Sequence, residues 1–204
     1  MVNIVNESEI KDILPSYDQT IQYPDYDRGL IMRSDIEVML RLLKSTNSKN
    51  LLEIGTWLGK TTKILSLYLD KVYTLDIDRE STDLSKITKG QIGELLYHKD
   101  IGSSCFDRKN VIQFYGDSAS EKVIKMVKNG IGKHVDSCFI DGNHTYEYCL
   151  SDTNNMLSMV KHSGLMMWHD VKEEDGNGVI DVLNSFPFTV YSIKDTWIGF
   201  TINV

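Results

Sequence analysis

The chain is poor in cysteine. Its three, Cys105, Cys138 and Cys149, are odd in number and unrelated in spacing. That excludes a disulfide framework and a paired-cysteine zinc site, and it suits reduced thiols in a cytoplasmic protein. No apolar run approaches the roughly 18 residues of a membrane-spanning helix, so no membrane partner is expected. The opening residues, MVNIVNESEIKD, lack a basic start followed by an apolar stretch, and do not read as a secretory signal. Basic residues are in deficit, with 22 Lys and Arg against 29 Asp and Glu and a net charge of −7. A nucleic-acid partner needs a basic footprint, and no Lys/Arg cluster with interleaved aromatics supplies one. Internal repeats and low-complexity tracts are absent too. What remains is one soluble domain of ordinary composition, 41% hydrophobic and 25% charged.

The most informative stretch runs from Asn50 to Asp78, NLLEIGTWLGKTTKILSLYLDKVYTLDID. Leu51, Leu52 and Ile54 make a short apolar run that suits a buried strand. Gly55 to Gly59 form a tight turn. Lys60 to Leu69 place Ile64, Leu65 and Tyr68 at helical spacing. Val72 to Leu75 form a second strand, closed by Asp76. This is a βαβ unit with glycines at its first strand-to-helix turn. Glycine admits a positive φ and a close ligand approach. The following helix offers unpaired N–H groups. An acid ending the second strand can accept from both hydroxyls of a ribose. Together these parts describe a pocket for an adenosine-like ligand. The spacing is Glu53-x-Gly55-x-x-x-Gly59 with Trp57 in the middle. A dinucleotide site would instead show GxGxxG.

Residues 1–30 read as an N-terminal arm, with a short helix over Glu7 to Leu14. Tyr17, Tyr23 and Tyr26 either cover the mouth of the site or pack the arm onto the surface. Residues 31–204 read as a single domain. Ser34-Asp35-Ile36-Glu37 is a capping box. It opens a helix to Leu43 with Ile36, Met39, Leu40 and Leu43 on one face. Residues 79–109 make an insertion, with a weak helical pattern over Ile87 to Tyr97. It suits a lid, a substrate wall or a contact in a homo-oligomer, and its residues do not choose among them.

Further strands are expected at Asn110 to Tyr115, Asp136 to Ile140 and Gly164 to Trp168. Helices are expected at Glu121 to Val127, about Tyr146 to Val160, and Val179 to Ser185. Phe188 to Ile193 and Trp197 to Val204 alternate as an antiparallel hairpin. The acidic run Glu173-Glu174-Asp175 reads as a solvated loop. Ligands of open parallel sheets bind at the carboxyl ends of the strands. Glu53, Asp76, Asp117, Asp141 and the pair His169-Asp170 all fall there, and such convergence points to an enzyme.

The motif ExGxxxG, the later acid, Phe139 to Glu147 (FIDGNHTYE) and Gly164 to Val171 (GLMMWHDV) together resemble class I S-adenosylmethionine-dependent methyltransferases. Within that class they are similar to small-molecule O-methyltransferases of the family 24 type, allied to the antibiotic, sugar and catechol-type enzymes. The likeness covers roughly residues 30–204. It implies an α/β, Rossmann-like, doubly wound fold. The sheet would be mostly parallel and seven-stranded with a C-terminal antiparallel hairpin, and with helices on both faces.

The resemblance implies that S-adenosylmethionine is bound by Glu53, Gly55, Thr56, Trp57 and Gly59, by Asp76 and Ile77, by Asp117 and Ser118 at the adenine, and by Asp141. An alternative for Asp117 and Ser118 is a helix cap. The acceptor would be a hydroxyl of a small polar molecule, a sugar or a secondary metabolite. Amino-methyltransferases of nucleic acids often carry Asp/Asn-Pro-Pro-Tyr where this chain has Asp141-Gly142-Asn143-His144.

His144 is the candidate base; the alternative is a structural bond holding its loop. His169, oriented by Asp170, is a second candidate base. The family's divalent metal, Mg or Mn, would fall to Asp141, His169 and Asp170, although an imidazole suits magnesium poorly. Trp57 and Trp168 are candidates for the acceptor pocket, and Trp197 reads more as core. Two rival readings stand. One is another enzyme on the same fold, an aminopropyltransferase or a nucleotide-dependent oxidoreductase. The other is a non-catalytic adenosyl-cofactor-binding protein.

Overall fold

Short apolar runs with polar punctuation form strands buried on both faces, as a parallel sheet between helix layers requires. The computed structural model describes residues 1–23, 31–77, 101–105, 107–172 and 178–202. Its strands are β1 (Val2–Val5), β2 (Asn50–Ile54), β3 (Lys71–Asp76), β4 (Val111–Tyr115), β5 (Val135–Ile140), β6 (Val160–Trp168), β7 (Val190–Ile193) and β8 (Gly199–Ile202). They lie in the order β1-β7-β8-β6-β5-β2-β3-β4. Only β8 runs antiparallel to its neighbours, β6 and β7. The helices are α1 (Ile10–Ile13), α2 (Arg33–Ser45), α3 (Lys60–Leu65), α4 (Glu121–Ile131), α5 (Tyr146–Leu157) and α6 (Val179–Ser185).

Alternation along the strands splits the core between the two faces of the sheet. Leu51, Phe139 and Leu165 pack with α2 and α3 on one face. Leu52, Cys138 and Met166 pack with α4, α5 and α6 on the other. The expected doubly wound fold with its antiparallel hairpin is therefore present.

The N-terminal arm adds an eighth strand to the seven expected. β1 pairs in parallel with β7 at the sheet edge, and VNIV was too short to stand out from its polar surroundings. Tyr17 and Tyr23 join the core cluster around α2; Tyr26 lies outside the described residues. With the arm on its far side, α2 is buried nearly all round, beyond the single face its spacing suggested.

The capping box expected at Ser34 does not form. Met32 is the N-cap, and Glu37 instead pairs with Arg33 at 2.9 Å and Arg41 at 3.2 Å. A capping box does form at Asn6 and Glu9. Helix α3 ends at Leu65, short of the expected Leu69. Beyond it the chain tightens into i→i+3 turns, Leu67 to Ile64 at 3.0 Å and Tyr68 to Leu65 at 3.1 Å, and the Asn110 amide donates to the otherwise open carbonyls of Ser66 and Leu69 at 2.8 and 3.0 Å. The helical pattern at Ile87–Tyr97 and the acidic run 173–175 lie outside the described residues. No helix among the described residues is long and apolar enough to cross a membrane.

Candidate functional site

The turn after β2 is fixed by close backbone contact. Gly55 has φ +95°, and a Cβ there would stand 2.0 Å from the carbonyl oxygen of Asp141. Trp57 takes a left-handed φ of 49°, a strain of about 1–2 kcal/mol for a residue with a side chain. Its N–H donates to Oδ2 of Asp76 at 2.6 Å, while Oδ1 accepts from the Ile77 N–H at 2.7 Å. Burial pushes the Asp76 carboxyl above its ordinary value, and these two N–H groups pull against that. Each oxygen keeps a further lone pair for a ligand hydroxyl.

Glu53 lies beneath the turn. It is 1% exposed, and its Oε2 accepts from Thr62 and from Thr74, the latter at 2.8 Å. Thr56 reaches Thr74 at 2.6 Å, so its hydroxyl also faces inward. Burial pushes the Glu53 carboxyl up to about 8. The side chains of Glu53 and Thr56 therefore brace the turn from below.

The insertion ends against this turn. The Gly102 N–H donates to the Trp57 carbonyl at 2.6 Å and the Ser104 N–H to the Leu58 carbonyl at 2.9 Å. Gly59, at φ +76°, lies where a Cβ would be 2.6 Å from the Cys105 sulfur.

After β4, the Asp117 carboxylate accepts from the Ala119 N–H at 2.9 Å. Ser120 is the N-cap of α4, so Asp117 and Ser118 stand in the loop and are not the cap. Asn155 of α5 donates to the Ser118 carbonyl at 3.1 Å and fixes that loop.

The ends of β5 and β6 bring together a cluster of acids and histidines. His169 Nδ1 lies 3.1 Å from Asp170 Oδ2 and 3.3 Å from Asp141 Oδ1, and its Nε2 lies 3.2 Å from Asp35 Oδ2. Burial opposes charge on this ring, but the three carboxylates win and push its pKa up to about 12. Both ring nitrogens of His169 thus face carboxylates, which favour its imidazolium form. Asp35, fully buried at the start of α2, was read only as part of a capping box. Its other oxygen accepts the Trp197 N–H at 3.0 Å, which ties α2 and the β7–β8 turn to the cluster.

His144 presents Nε2 to the same acids, 3.1 Å from Asp170 and 3.6 Å from Asp141. That atom is buried and makes no aligned hydrogen bond, although 43% of the side chain is exposed. Burial disfavours its charged form, yet Asp141 and Asp170 raise its pKa above the ordinary value. The same histidines hold both carboxyls below theirs despite burial.

Trp168 is fully buried, its indole N–H bonded to Thr153 at 3.0 Å, so it lines no pocket. Trp197, expected in the core, instead stands beside His169 with Lys172 over its ring at 3.3 Å.

A family model described as a methyltransferase domain matches residues 52–171, more than half of the chain. The chain belongs to this methyltransferase family.

Solved structures share the fold at low identity. A putative caffeoyl-CoA O-methyltransferase from Staphylococcus aureus is 16% identical with a TM-score of 0.60, covering 97% of this chain and 99% of its own. An O-methyltransferase from Bacillus cereus in complex with SAH is 15% identical, TM-score 0.54, covering 96% and 88%. The TDP-rhamnose 3′-O-methyltransferase of calicheamicin biosynthesis is 11% identical, TM-score 0.56, covering 84% and 81%. A search of curated proteins gave no match.

Does this methyltransferase's site suit a metal? Among the described residues, Asp141, His144 and Asp170 bring one donor atom each within 4.8 Å of one another. Nε2 of His144, which makes no aligned hydrogen bond, points into that group. These residues fit a divalent ion, but they are not the expected set: His144 takes the place of His169. Two carboxylates and one imidazole suit manganese, iron or zinc better than magnesium.

Proposed function

We propose that the protein transfers a methyl group from S-adenosylmethionine to a hydroxyl of a small polar acceptor, of the sugar or secondary-metabolite class. The reading rests above all on His144: an inward-facing imidazole nitrogen 3.1 Å from Asp170 and 3.6 Å from Asp141 at the strand-end crevice. Donor, when bound, supplies an activated methyl carbon on a sulfonium, so the protein's task is alignment and removal of the hydroxyl proton.

The turn 55–59 receives the methionine half, Asp76 accepts from the ribose hydroxyls, and Ile77 packs against the nucleoside. Asp117 and Ser118 face the adenine. His144 Nε2 takes the acceptor's proton as the oxygen bonds to carbon and the carbon–sulfur bond breaks. Asp141 and Asp170 stabilise the imidazolium that forms, and Nε2 gives its proton to water once product leaves, which restores the base. Asp35 and His169 hold those two carboxylates in place.

The three-donor group supports a second reading, in which Asp141, His144 and Asp170 hold a divalent ion. Such an ion would acidify the acceptor hydroxyl, and His144 would be a ligand.

The test is donor binding and methyl transfer across a panel of hydroxylated acceptors, with and without chelator. His144→Ala should bind S-adenosylhomocysteine as the wild type does while losing about 10²–10⁴-fold in turnover. Unchanged turnover would refute the base. Loss of turnover to EDTA with recovery by manganese would select the metal reading. In thermal shift, S-adenosylhomocysteine should stabilise the protein and NAD should not; the reverse would move it to an oxidoreductase. Donor binding with no transfer to any acceptor would favour a binding protein.

A further inference from the structure

Asp152 sits at the middle of α5, on the buried side with Cys149, Thr153 and Met156. It is 1% exposed, and neither carboxylate oxygen has a hydrogen-bond partner among the described residues. A buried carboxylate without donors costs about 1–3 kcal/mol or more, so an unpaired acid here calls for a reason.

Its neighbours indicate what that reason is. The helix is pinned on both sides of it, by Asn155 to the Ser118 carbonyl and by Thr153 to the Trp168 indole. A Cβ on Gly142 would lie 3.5 Å from Asp152 Oδ2. The Ser118 hydroxyl stands close without aligning on either oxygen, and Asp117 adds a second negative charge beside it. Asp117 and Ser118 are the residues assigned above to the nucleobase, and Gly142 follows Asp141 at the same strand-end crevice. Asp152 therefore offers an acceptor where that base would bring a donor.

We propose that Asp152 is a specificity residue of the nucleobase site, its carboxylate accepting a hydrogen bond from the exocyclic amine of adenine. The assignment rests on the methyl-donor reading. It goes beyond that reading by naming a residue on α5, away from the strand-end motifs, that tells adenine from a base carrying a carbonyl at that position. Hypoxanthine would set oxygen against oxygen when the acid is ionised, so the comparison is made above pH 7. Burial pushes the acid up to about 7, in keeping with a carboxylate that has no donor until ligand arrives. Among the described residues, the other buried carboxylate oxygen without a hydrogen bond, Oε1 of Glu53, belongs to an acid already held by two threonines under the turn.

The experiment is titration calorimetry of the full chain with S-adenosylhomocysteine and S-inosylhomocysteine, on the wild type, Asp152→Asn and Asp152→Ala. The wild type should prefer the adenosyl ligand by about tenfold or more. Asp152→Asn, whose amide can donate to the inosyl carbonyl, should bring the ratio towards one, and Asp152→Ala should narrow it as well. A structural role alone would weaken both ligands together and leave the ratio intact, which overturns the assignment. Equal binding of both ligands by the wild type overturns it without any variant, should the variants fail to fold. Binding of neither ligand by the wild type removes the methyl-donor reading and this assignment with it.

Discussion

Truncating Asp76 to alanine should lower stability and cofactor affinity through two separable sets of bonds. In the folded chain its carboxylate accepts from the Trp57 N–H at 2.6 Å and the Ile77 N–H at 2.7 Å. Hydrogen bonds to a charged group contribute about 1.5–3 kcal/mol each. The first also holds Trp57 at its left-handed φ of 49°, a conformation that costs about 1–2 kcal/mol. Burial of the acid opposes this gain, so the net loss on truncation is set at about 3 kcal/mol. A domain of this size would then melt about 10 °C lower. The ribose hydroxyls should lose their acceptor as well, weakening S-adenosylhomocysteine by about a hundredfold. Urea unfolding followed by tryptophan fluorescence reads the first effect. Calorimetry at low temperature, where the variant remains folded, reads the second. An unchanged dissociation constant in a folded variant would refute the ribose role. An unchanged melting temperature would refute the account of the turn.

His169 carries a prediction about pH. Its folded-state value of about 12 exceeds the ordinary histidine value, so its contribution is complete below about pH 6.5 and is lost as pH climbs towards the folded value. Above about pH 7, urea-unfolding free energy should fall more steeply in the wild type than in His169→Gln, by up to about 1.4 kcal/mol per pH unit; parallel slopes would mean the ring is neutral. Gly55→Ala should give little folded protein, since its Cβ would lie 2.0 Å from a backbone oxygen. A normal melting curve and normal donor affinity for that variant would show that the turn is more plastic than its contacts imply.

The fold was legible because apolar runs and glycine-bearing turns are local. The residues 50–76 alone carried strand, turn, helix, strand and acid in order. Residues that act through distant partners were not legible. Asp35 meets His169 across 134 positions, and nothing in its neighbourhood along the chain separates it from a helix-capping aspartate. Ser34 and Glu37 had the spacing of a capping box, but Glu37 found stronger partners in Arg33 and Arg41. β1 was missed because its pairing depends on β7, nearly the whole chain away. Asp152 shares a helical face with Cys149 and Met156, and that apolar company was the one local sign of its burial.

The charges at the strand ends explain why His169 matters without touching an acceptor. Three carboxylates, Asp35, Asp141 and Asp170, surround its ring at 3.1–3.3 Å. Like charges this close in a buried setting resist joint ionisation unless a cation stands among them. His169 is that cation, supplied by the chain itself. A carboxylate at position 169 would bring a fourth negative group and remove the positive one, and the site would then depend on an external ion. With histidine there, one positive charge is already fixed, and the residual imbalance falls on Asp141 and Asp170, where His144 Nε2 stands. A proton arriving on His144 from the acceptor and a divalent ion held by His144 redress the same imbalance. They differ in where the acceptor's proton goes, and chelation distinguishes them because it removes an ion and leaves a protonated histidine unchanged.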